Sequence, residues 1–128
     1  MNIAFIENDV NFHEIVKELT KIYANEWNIK FYKDVASMNG VSYDVIIANT
    51  TDKKLIKRIS SNSAEFALIV DDIMMFLDED LLNDPNVGAL IDKNDLDDLL
   101  EWLQYFHAKI SINKIFDFAE GAQTTAVC

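Results

Sequence analysis

Short apolar runs alternate along the chain with stretches in which apolar residues recur at helical spacing. "NIAFI" (2–6) is an apolar run of strand length, the pattern of a buried strand. Polar "ENDVNF" follows it, and Asn8 or Asp9 can cap a helix. Phe12, Ile15, Val16, Leu19, Ile22 and Tyr23 would form the buried stripe of that helix. "WNIKFY" (27–32) alternates and predicts a second strand nearer the sheet edge. "DVASMNG" predicts a short helix or loop ending at Gly40. "YDVIIAN" (43–49) predicts the third strand, and Asp52 can cap a helix carrying Leu55, Ile56 and Ile59. "EFALIV" (65–70) predicts the fourth strand, and "IMMFLDEDLLND" (73–84) a fourth helix stopped at Pro85. "VGALI" (87–91) predicts the fifth strand. Asp95 then opens a fifth helix with Leu96, Leu99, Leu100, Leu103, Phe106 and Ile110 on its apolar side.

Strands one, three, four and five are near-continuous apolar runs, as expected of a parallel sheet covered on both faces. The alternation therefore predicts an α/β fold: a doubly wound five-stranded parallel sheet of order 2-1-3-4-5 in a flavodoxin-like three-layer sandwich. Its switch point falls between strands one and three. The crevice there would be built from Glu7, Asn8 and Asp9 on one side and Asn49, Thr50 and Thr51 on the other.

Composition narrows the function. The 128 residues fit one domain, and 50% hydrophobic content supplies a core. Residues 1–110 would form that domain, with 111–128 a C-terminal extension: an extra helix ending near Gly121, then a disordered tail or linker. Apolar runs fall short of the ~18 residues of a membrane span, and no secretory signal pattern opens the chain. The single cysteine, Cys128, fits a cytoplasmic setting. A net charge of −11 and a pI of about 4.4 argue against nucleic acid as a partner.

At the same sheet edge strand four ends in Asp71 and Asp72, and strand five is followed by Asp92 and Lys93. Carboxylates and a lysine at strand ends are the residue types that hold magnesium or a phosphate. The order "IAFIEND", "YDVIIAN", "LIVDD", "ALIDKN" resembles the receiver domain of bacterial two-component response regulators over residues 1–110. The resemblance implies an acidic magnesium pair after strand one, where this chain has Glu7 and Asn8. It implies a phosphoacceptor aspartate after strand three, where Asn49 stands, and a Ser or Thr after strand four, where Asp71 stands. Lys93 matches the family's lysine; Asn94 replaces the proline that follows it, and Leu90 occupies the place of an aromatic switch residue.

An amide cannot serve as the carboxylate nucleophile, and magnesium binding at Glu7 and Asn8 would be weak or lost. The expectation is a degenerate receiver, not an enzyme and without a cofactor, working by protein–protein contact. With a neutral Asn49, Lys93 needs another partner, and Glu7 and Asp71 are the candidates. The alternative is a cation- or small-anion-sensing variant using Glu7, Asp9, Asp71 and Lys93; a small magnesium-dependent phosphatase is a third. His13 and His107 read as ordinary helix residues. Met74, Met75, Trp102 and Tyr105 lie beside the core stripes of the fourth and fifth helices. They would contribute to a partner or homodimer surface on the helix 4–strand 5–helix 5 face that such domains use.

Overall fold

A computed structural model describes residues 1–38, 42–50, 52–60, 63–72 and 79–127. Five strands, β1 (Asn2–Ile6), β2 (Asn28–Tyr32), β3 (Tyr43–Ala48), β4 (Ser63–Val70) and β5 (Ala89–Asp92), form one parallel sheet of order β2-β1-β3-β4-β5. The order and the parallel pairing are those the apolar runs predict. In β1 and β3 every residue but Asn2 and Asp44 is buried, because both strands are central and covered on two faces. β2 has no fully buried residue, as its edge position and alternating sequence require.

The pleat divides the apolar residues between two cores. Ile3, Phe5, Val45, Ile47, Ala67, Ile69 and Ile91 face one side. They meet Phe12 and Val16 of α1 (Val10–Leu19) and Leu99, Leu103 and Phe106 of α4 (Leu96–Val127). Ala4, Ile6, Ile46, Ala48, Phe66 and Leu68 face the other side. They meet Ile56 and Ile59 of α2 (Lys53–Ser60) and Leu81 of α3 (Glu79–Leu82). The result is the expected helix–sheet–helix sandwich.

Several boundaries differ from the sequence expectation. Trp27 is not in β2; it is buried in the first core, stacked on Tyr23 at 4.0 Å. Residues 35–38 form a single 3₁₀ turn, and Gly40 lies outside the described residues. β5 begins two residues later than expected. Gly88 still runs against β4, its N–H bonded to the Phe66 carbonyl at 2.8 Å, and a Cβ there would lie 3.2 Å from that oxygen. Ile15 and Ile22, expected in the buried stripe, are 50% and 81% exposed. The helix ends at Leu19, so only Phe12 and Val16, one turn apart, reach the sheet. Residues 73–78 of the expected fourth helix, with Met74 and Met75, lie outside the described residues. α4 runs as one helix from Leu96 to Val127, through the segment expected as a C-terminal extension.

Candidate functional site

The parallel ladder holds Glu7 at the centre of the sheet's carboxyl edge. Its N–H donates to the Tyr32 carbonyl at 3.0 Å, and the Asn49 N–H donates to the Ile6 carbonyl at 3.0 Å. The Glu7 residue is only 7% exposed, so its charge must be met by donors. Oε2 accepts from the Asn49 side-chain amide at 2.7 Å. Oε1 accepts from the Asp9 N–H at 3.1 Å and lies 3.3 Å from the Lys93 Nζ. The His13 Nε2 donates to the Glu7 carbonyl, and its ring packs on Phe31 at 4.4 Å.

Asp9 works in two directions. Oδ1 caps α1 by accepting from the Asn11 and Phe12 N–H groups at 3.0 and 3.3 Å. Oδ2 is 3.0 Å from the Lys93 Nζ. The lysine bond and the Phe12 N–H hold the Asp9 carboxyl below its ordinary range.

Lys93 follows β5, anchored by its N–H to the Val70 carbonyl at 2.8 Å. Its side chain is 17% exposed and its ammonium sits 5.4 Å from the centre of the Phe12 ring. Burial pushes the ammonium down, but the Asp9 hydrogen bond and the Glu7 charge outweigh it and hold Lys93 above its usual range. Asp71 is open to water and reaches Lys93 with one oxygen at 3.8 Å. Asn94 stands over it, its amide donating to the Asp71 carbonyl at 2.9 Å.

The structure thus brings together Glu7, Asn49, Lys93 and, at the rim, Asp71. Asn8 is exposed beside them. Leu90 is half-buried against the second core. Trp102 is half-buried on Phe106, and Tyr105 is exposed on the outer side of α4. Lys93's nearest carboxylate is Asp9, which the sequence presents as a cap and crevice residue but not as the lysine's partner. The second residue missed is His13, whose six-residue distance from Glu7 carries no recognisable spacing.

Chemically this is a closed circuit. Both Glu7 oxygens already accept hydrogen bonds, so a cation would have to displace an amide or an ammonium. Among the described residues no group of three or more His, Cys, Asp or Glu side chains is placed to hold a metal ion. No family model, no curated protein and no solved structure matches the chain.

Proposed function

We propose that the chain is a degenerate response-regulator receiver, a signalling module whose phosphorylation crevice is occupied by its own ion network. It acts through contact with protein partners, with no phosphoryl transfer at Asn49 and no catalysis. The observation that carries this reading is the Asn49 amide donating to Glu7 while Lys93 occupies the other Glu7 oxygen and Asp9. A receiver would keep that lysine for an incoming phosphoryl group; here its charge is met from within. Asp71 adds a negative charge on the side from which a phosphate would approach.

The contact surface in this reading is the face formed by α3, β5 and α4, with Trp102 and Tyr105 on it, toward a protein partner or a second copy. No helix among the described residues is long and apolar enough to cross a membrane. The cytoplasm is the compartment we assign, and the acidity favours protein over nucleic acid as the partner. The exposed Asp71 carboxylate favours cation sensing as the second reading.

Intact mass after incubation with acetyl phosphate and magnesium tests both, alongside a magnesium titration followed by tryptophan fluorescence. The proposal expects an unchanged mass and no titration. Saturable magnesium binding without a mass gain would select the sensing reading. A gain of one phosphoryl group would refute the proposal.

A further inference from the structure

β2 is the last strand on its side of the sheet, with β1 as its one neighbour. The Asn28 N–H donates to the Met1 carbonyl at 2.8 Å, and the Tyr32 carbonyl accepts from the Glu7 N–H at 3.0 Å. Both groups therefore point toward β1. Backbone groups of successive strand residues point to alternate edges, so the N–H and C=O groups of Ile29 and Phe31 face the open side. A row of this kind is a template for a further strand.

The side chains of the same two residues pack against the first core, and a groove of about 350 Å³ opens beside them, lined also by Lys17, Lys21, Ala24 and Trp27. Among the described residues, Lys17 and Lys21 are the only charged ones that line it. Both are exposed, in a chain whose net charge is −11. The Lys17 ammonium lies 5.7 Å from the centre of the Phe31 ring, over the strand itself. Its partner is Glu14 at 3.3 Å, and both side chains are more than half exposed, so an incoming carboxylate can exchange with it. Lys21 has no ion pair among the described residues. The two lysines are four residues apart, about 6 Å along a helix. Side chains on one face of a strand repeat at about 6.6 Å, so acids at every second position of an added strand match that spacing.

We propose that the open edge of β2 receives an extended acidic peptide of a partner protein as a sixth strand, its alternate carboxylates paired with Lys17 and Lys21. Backbone bonds to Ile29 and Phe31 hold the peptide, and the two ammonium groups select its charge. A second copy of this chain fits the edge poorly: two β2 edges joined about a two-fold axis present the same lysines to each other. This edge lies across the sheet from β5 and so from the α3–β5–α4 face. It uses no residue of the crevice, and the docking stands whether or not the crevice is silent.

Fluorescence anisotropy of the full chain with a labelled peptide of alternating valine and glutamate provides the test. Saturable binding is expected, and none for the same peptide with lysine in place of glutamate. Lys17→Glu/Lys21→Glu should weaken binding by about tenfold or more. Lys54→Glu/Lys57→Glu makes the same charge change on exposed residues of α2 and should stay within about twofold of wild type. Both double variants are expected to keep the wild-type melting curve. Methylating the glutamate nitrogens of the peptide removes the donors of an antiparallel added strand, and methylating the valine nitrogens those of a parallel one. At least one of the two methylated peptides is expected to lose binding. No saturable binding, equal losses in the two double variants, or binding that survives both methylations would overturn the proposal. So would a wild-type dimer in light scattering that Lys17→Glu/Lys21→Glu dissociates, which would place a second copy on the edge.

Discussion

Lys93→Met removes the ammonium facing Glu7, Asp9 and Asp71 and leaves a side chain of similar reach against Phe12. Glu7 then keeps the Asn49 amide and the Asp9 N–H but faces the Asp9 carboxylate without a cation between them. Breaking one side of a fully buried ion pair costs roughly 3–5 kcal/mol, and an exposed pair about 0–1. This cluster lies between those limits. Glu7 is 7% exposed and Lys93 17%, while Asp9 is part-exposed and Asp71 stands in water, where it is screened. A loss of about 2–3 kcal/mol at pH 7 follows. For a chain of this length that is roughly 6–15 °C in Tm.

The pH dependence separates an ionic origin from lost packing. Asp9 is held low in the folded protein by Lys93, so its contribution is present above the ordinary carboxylate range and is lost as the pH falls through its folded value. Lys93 is held high, so its contribution is present below its ordinary range and is lost as the pH rises through its folded value. The deficit of Lys93→Met should therefore be widest across neutral pH and narrow on acidification below about 4. Urea denaturation of both proteins at pH 7 and at acid pH measures it. A neutral-pH deficit under about 0.5 kcal/mol, or one of equal size at both pH values, would refute the ionic account.

Asn49→Asp exchanges the donor on Glu7 Oε2 for a second carboxylate. Since Asn49 is exposed, the expected cost is only about 1–2 kcal/mol at pH 7, shrinking toward pH 4 as the pair retains a proton; urea curves at the two pH values check it. Tyr43, buried and hydrogen-bonded to Tyr32, is pushed up to about 12 by burial first and that bond second, and ultraviolet titration should find it there. The folded state holds that proton more tightly than the unfolded chain, so stability should fall as the pH rises from about 10 toward that value.

The sheet was legible because burial on two faces forces near-continuous apolar runs, and β1, β3 and β4 are such runs. Helical spacing was a poorer guide to burial. Ile15 and Ile22 share a stripe with Phe12 and Val16, but a ten-residue helix presents only part of it to the sheet. In the crevice, Glu7, Asn49 and Lys93 were legible from their places after β1, β3 and β5. Asp9 was not legible as the lysine's partner, because capping already accounts for the residue and spends only one of its two oxygens.

The asparagine after β3 follows from the charge on Glu7. Glu7 is held beside β2 by its N–H on the Tyr32 carbonyl, the Asn49 N–H binds the neighbouring Ile6 carbonyl, and the residue is only 7% exposed. It needs donors on both oxygens, and the side chain at position 49 is within 2.7 Å of one of them. An aspartate there would demand a second cation or a shared proton, whereas an amide satisfies Glu7 outright. Lys93 is then released from balancing position 49 and can bind Glu7 and Asp9 together. Losing a nucleophile at position 49 and keeping a lysine at 93 are thus parts of one electrostatic arrangement. It ties the ends of β1, β3 and β5 together without any ligand.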